Sequence, residues 1–161
     1  MSKFLEHTHI IHAFPTATIP ANEDIFAGNS GDVLSDVINM ENAKSAIFIV
    51  TICGGTGSAS IQMLAADTAV PANTSAISFL YKAITGPDTQ GATTETKTLV
   101  AGGASDMIYV LEADSAKLAE VGYGYLQVQV LEKVDMPVNG AITAFLLGLR
   151  SAEDVTPTQL V

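Results

Sequence analysis

The stretch that decides the fold is Tyr123-Gly124-Tyr125-Leu126-Gln127-Val128-Gln129-Val130-Leu131-Glu132, then Lys133-Val134-Asp135-Met136-Pro137-Val138-Asn139-Gly140, then Ala141-Ile142-Thr143-Ala144-Phe145-Leu146-Leu147-Gly148-Leu149-Arg150. In its first part Leu126, Val128 and Val130 alternate with Tyr125, Gln127 and Gln129, the period of a strand with one face in a core and one in water. In its last part Ile142, Ala144 and Leu146 fall on one face and Phe145, Leu147 and Leu149 on the other. A strand apolar on both faces expects cover on both, from its own core and from another chain. Pro137 between the two parts cannot donate to a ladder, and Asn139-Gly140 accepts positive φ. The pattern predicts a hairpin with an ornamented loop, around which the other strands pack.

Working outward, Val33 to Ile38 predicts a first strand, and Lys44 to Ile52, rich in β-branched and aromatic residues, a central one. Gly54-Gly55-Thr56-Gly57 turns the chain into Ser58 to Leu64, which is read as the second half of a hairpin. Ala76 to Ala83 sets Ile77, Phe79 and Tyr81 against Ser78, Leu80 and Lys82, and shorter strands follow at Thr96 to Val100 and Met107 to Glu112. Asp114 is an N-cap for one or two helical turns over Ser115 to Ala119. Many short strands separated by turn residues predict an all-β domain, a β-sandwich or jelly-roll-like fold of about eight short antiparallel strands with at most one short helix. The expected organisation is an extended N-terminal arm over residues 1–31, a β-sandwich over 32–150 and a C-terminal tail over 151–161.

A chain of 161 residues is long enough for one domain with a real core, and its single cysteine excludes an internal disulfide. Apolar residues make up 48% and charged residues 15%, a balance that leaves apolar surface for a partner. The net charge of −10, with seven basic residues scattered along the chain, provides no stripe to neutralise phosphates. Direct contact with nucleic acid or an anionic membrane is not expected. No apolar run approaches the roughly 20 residues of a membrane span, and the first residues lack the apolar segment of a signal peptide, so synthesis in a cytoplasm is the expectation.

Several residues invite a chemical reading. Gly54 to Ser58 is glycine-rich like a phosphate loop, but a strand rather than a helix is predicted to follow, and no Lys stands beside it. His7, His9 and His12 have side chains that bind Zn or Ni, yet the segment lacks the regular structure that would fix a third ligand. Cys53 ends an apolar strand and reads as a buried small hydrophobe. Asp106, Glu112, Asp114 and Glu120 lack calcium-loop spacing and read as solvated strand ends. Asn73-Thr74-Ser75 is a glycosylation sequon that matters only in a secretory lumen. No catalytic, cofactor or metal site is predicted. Association is: the residues expected at an interface are Phe4, Ile10, Ile11, Phe14, Ile19, Phe26, Tyr123, Tyr125, Phe145 and Leu147.

The order of strands and turns through Ala46 to Val50, Gly55 to Gln62, Ile77 to Tyr81, Tyr109 to Asp114, Leu118, Gly122 to Val128 and Leu149-Arg150 resembles that of small β-rich virion proteins of tailed bacteriophages, the capsid decoration or cement class. The resemblance covers about Val33 to Arg150. It implies a non-enzymatic virion structural protein, present in the host cytoplasm during assembly and then on the capsid surface. There it braces the head by binding the major capsid protein and itself, as a homotrimer or a homodimer. The acidic balance suits such an outer position. Three rivals follow from the same residues. One is a tail or head-fibre component. Another is a metal-dependent cupin-like barrel using His7, His9 or His12 with Glu112, and the last is a glycan-binding sandwich with Tyr123 and Tyr125 as its platform.

Overall fold

The alternating segments form strands, and hydrogen bonding sorts them into two antiparallel sheets packed face to face. The computed structural model describes residues 9–13, 32–53, 58–87, 89–101, 107–133 and 139–149. The larger sheet contains β1 (His9–His12), β4 (Ser45–Cys53), β7 (Phe79–Gly86), β8 (Thr89–Gln90), β9 (Thr94–Thr96), β11 (Met107–Asp114) and β13 (Asn139–Leu147). Its order is β1-β13-β4-β11-β7, with β8 and β9 end to end along the far edge of β7. The smaller sheet contains β2 (Asp32–Leu34), β3 (Ile38–Asn39), β5 (Ala59–Ala66), β6 (Thr74–Ile77), β10 (Leu99–Ala101) and β12 (Tyr125–Glu132). There β5 and β12 pair along eight residues; β10 and β6 border β5, and β2 and β3 border β12. The chain is an all-β sandwich with one short helix among the described residues, α1 (Ser115–Glu120).

Between the sheets the inward positions are apolar in every long strand. Phe48, Val50, Leu111, Tyr109, Ile142 and Ala144 face inward from the larger sheet, and Ile61, Met63, Leu126, Val128, Ile38 and Ile77 from the smaller. Each large side chain so buried contributes roughly 1.5–3 kcal/mol. The Tyr109 hydroxyl takes a soft partner, donating to Met107 Sδ at 3.0 Å, and burial, with Tyr81 nearby, raises its pKa above the ordinary phenol value. Asp114 caps α1 by accepting from the Ala116 N–H at 2.9 Å, and the helix drops Leu118 into the end of the core.

Partnership departs from the expected hairpins. β12 and β13 do not pair: β12 lies in the smaller sheet against β5, and β13 in the larger against β4 and β1. β4 and β5 likewise belong to opposite sheets. Alternation says that a strand has a buried face, but both sheets of a sandwich have one, and the segments at residues 54–57 and 133–138 connect the sheets instead of adjacent strands. Two other single strands are broken where the chain changes sheets. Ile77 ends β6 and Phe79 begins β7, so both point into the core from opposite walls, and a second switch at Lys97-Thr98 separates β9 from β10. These divisions, with the short edge strands, turn the expected eight or so strands into thirteen among the described residues.

The predicted strand over Val33 to Ile38 is also divided, because Ser35 interrupts it. Ser35 donates its N–H to the Val128 carbonyl at 2.8 Å, and its Oγ accepts the Val128 N–H at 2.8 Å, so the gap between β2 and β3 is closed by a side chain. The Asp36 N–H then donates to the Ala13 carbonyl at 2.8 Å, and the Ala13 N–H to the Ile142 carbonyl at 3.1 Å. Through these bonds the segment read as an arm supplies the edge strand β1 and ties the two sheets together on one side. Gly148, at φ +64°, ends the alternation of β13, so Leu149 packs against the core instead of continuing the Phe145 and Leu147 face.

Candidate interaction surface

Register determines what each sheet shows to the outside. On the smaller sheet the outward positions of β5 and β12 include Gln62 and Gln129, with Ser60 and Gln127 polar but covered, and the Gln62 Nε2 donates to Thr98 Oγ1 at 2.8 Å. Polar side chains on the outer side are what an antiparallel sandwich is expected to carry. Leu34 and Val100, 42% and 64% exposed, are outward on the smaller sheet too, but on short edge strands opposite Gln129 and Ser60, whereas on the larger sheet the outward apolar positions run together from strand to strand. One row of directly paired outward residues runs Ile10, Phe145, Ile47, Glu112, Leu80 across β1, β13, β4, β11 and β7. The next runs Thr143, Ile49, Val110, Lys82, and a third Ala141, Thr51, Ile108, Ile84.

The middle of this face is therefore aliphatic and accessible. Ile10 is 48%, Leu80 40% and Ile108 36% exposed, and Ile47, Ile49, Ile84, Val110, Phe145 and Leu147 are half-buried. Neighbouring strands lie about 4.8 Å apart, so this apolar field crosses five strands and about 24 Å. Contiguous exposed apolar surface of that extent marks a place of association. Lys82 and Glu112 are set within it, with Asp114 next to Glu112 on the outward side of β11 and Glu95 beyond Leu80, and neither Lys82 nor Glu112 lies within ion-pair distance of an opposite charge among the described residues. Lys117, at the rim, is held by Glu95 at 3.6 Å and Glu120 at 3.9 Å.

The residues expected at an interface are divided by the fold. Ile10, Phe145 and Leu147 stand together on this outward face. Ile11, one residue from Ile10, points the other way and is 4% exposed, so it fastens β1 to its own core rather than offering itself to a partner. Tyr123 packs against the core, whereas Tyr125 is outward on the smaller sheet opposite Ala66 and Asn39, so the two do not form one platform. Phe4, Phe14, Ile19 and Phe26 lie outside the described residues. The centre of the patch, Ile47, Ile49, Val110, Ile108, Ile84 and Leu80, was not singled out by sequence; the signal present was that Lys44 to Ile52 is apolar on both faces.

The residues that invited chemical readings do not gather. β1, which carries His9 and His12, is three strand spacings, about 14 Å, from the β11 position of Glu112. No group of three or more His, Cys, Asp or Glu is placed to hold a metal among the described residues. Asp114 serves as a helix cap and Glu120 pairs with Lys117. Cys53 closes β4 opposite Asn139; Gly54 to Gly57, His7 and Asp106 lie outside the described residues. Asn73 of the sequon is exposed and donates its Nδ2 to Asp67 Oδ2 at 2.9 Å. Set against known protein families, curated proteins and solved structures, the chain matches none.

Proposed function

We propose that this protein is a non-enzymatic assembly component, a virion structural protein of the capsid decoration class, which holds to sister copies and to the outside of a larger shell by burying apolar sheet surface. One observation carries the associating role: the outward face of the larger sheet, where a monomer is expected to be polar, presents Ile10, Ile47, Ile49, Leu80, Ile84, Ile108 and Val110. The acidic balance, −10 overall, suits a partner other than the genome. The virion setting rests on the resemblance in strand order and turns, and a tail or head-fibre component uses the same face in the same manner. Repetition by symmetry converts modest single contacts into firm attachment.

The test is retention. The full chain is mixed with shells lacking it and sedimented, beside Ile49→Asp, a change in the middle of the outward face that leaves the core residues in place. Wild-type protein travels with the shells and the variant stays in solution. Equal retention of the two proteins removes this face from the mechanism, and absence of wild-type binding removes the shell.

A further inference from the structure

We infer that the first occupant of the larger sheet's outward face is a second copy of this chain, docked about a two-fold axis that sets Lys82 of each copy against Glu112 of the other. The inference rests on the reading of that face as an association surface and names its partner. Three observations point to a sister copy. The first is charge. The outward side of the larger sheet carries Lys82 on β7 and Glu112 on β11, one strand and one row apart, neither ion-paired among the described residues, while its other two acids are engaged, Glu95 beyond Leu80 by Lys117 and Asp114 as the cap of α1. A face whose two unengaged charges are of opposite sign satisfies them when doubled, whereas an uncharged apolar partner leaves both buried and unpaired, which is strongly unfavourable.

The second is position. Laid flat, the face is a grid of about 4.8 Å between strands and about 6.8 Å between successive outward residues of one strand. The two-fold axis that exchanges Lys82 with the sister's Glu112 passes close to Val110 and Ile49, which then meet their own counterparts. The same operation lays Ile47 over the sister's Ile84, and Phe145 over the sister's Ile108 and Ile84. Pairing the charges thus also pairs the aliphatic side chains, and at the edge of the face it brings Glu95, held by Lys117, near its own counterpart. The strands of the two copies cross at roughly 70°, near the orthogonal class of sheet packing.

The third is size. Five strands by the nine residues of β4 bound the face at about 24 Å by 30 Å, or about 700 Å². That is close to the roughly 800 Å² per partner of a standard interface, and two-fold pairing is the commonest symmetry of homo-oligomers.

Sedimentation equilibrium of the full chain tests this, with Lys82→Glu and Glu112→Lys prepared separately and then mixed in equal amounts. Wild type is expected as a dimer. Each single reversal sets like charges across the axis and raises the dissociation constant at least about tenfold. The mixture recovers the wild-type value. In the mixed dimer the two substituted side chains, now of opposite sign, face each other on one side of the axis, and the native Glu112 of one variant faces the native Lys82 of the other. Recovery on mixing cannot come from pairing within one chain, since each single variant carries like charges at both positions. Circular dichroism of the singles checks that both remain folded. A dimer indifferent to both reversals, a trimer, or a monomer overturns the inference. A monomer that still travels with shells, and loses them on Ile49→Asp, overturns the inference while leaving the proposed function standing; a monomer that Ile49→Asp leaves unchanged in retention overturns both.

Discussion

Ser35→Ala is the sharpest test of how the smaller sheet is held at its broken edge. Ser35 is 4% exposed, and its Oγ is the acceptor for the Val128 N–H at 2.8 Å in the place where a continuous strand would offer a carbonyl. The same Oγ donates to the Asp36 carbonyl at 3.0 Å. Alanine removes the oxygen and leaves the N–H of Val128, a residue with no exposure, without an acceptor. An orphaned buried donor costs about 1–3 kcal/mol, more than the net value of an ordinary hydrogen bond. For a chain of this size each kcal/mol moves Tm by roughly 2–4 °C, so a fall of about 4–8 °C is expected for a loss near 2 kcal/mol. Urea denaturation gives the free energy, and amide exchange shows whether Val128 loses protection out of proportion to Met63, its partner across β5. A variant within about 0.5 kcal/mol of wild type, the ordinary range of a surface change, with Val128 still protected, refutes the idea that this hydroxyl closes the gap.

Two further perturbations address local structure. Gly148 has φ +64° and a Cβ placed there comes within 2.8 Å of Lys44 Cβ, so Gly148→Ala is expected to cost about 1–3 kcal/mol in the same urea assay, through strain and collision together; a neutral result shows that the end of β13 re-forms freely. Asp67 accepts from the Asn73 side chain, which is the main cause of its lowered pKa, and from the backbone N–H groups of Asn73 and Ala72. Its folded pKa lies below the unfolded value of 3.8, so the bracing of the turn between β5 and β6 is present above that pH and fades as the pH falls through the folded pKa. An NMR titration of the carboxyl reads this, and Asn73→Ala is expected to move the midpoint up; no movement removes Asn73 as the cause.

How much was legible follows the range over which each signal acts. The alternation of Leu126, Val128 and Val130 against glutamines identifies a half-buried strand, because side-chain direction is settled by backbone pleat within a few residues. Asp114 before Ser115 to Glu120 identifies a capped helical turn for the same local reason. At the candidate surface, Ile10, Phe145 and Leu147 are visible as apolar residues without an obvious core to join. Ile11 is misplaced by such a reading, since in a four-residue strand flanked by irregular sequence nothing local says which neighbour turns inward. Ser35 is invisible to it as well: one serine inside an apolar run carries no mark that it will replace a backbone carbonyl.

The amino-acid order by itself determined that this is a β protein with a low-charge, acidic surface, and it settled most of the residues that alternate into a core. Which strands lie side by side, and which apolar face of β4, β11 and β13 is the inside, only the tertiary structure decided. Ile47 and Ile49 are as hydrophobic as Phe48 and Val50, so their segment fits a core on either face. The choice came from the chain crossing between sheets at nearly every long connection, which set Phe48 against the smaller sheet and turned the isoleucines outward. Alternation is a property of one strand, whereas inside and outside belong to the pair of sheets.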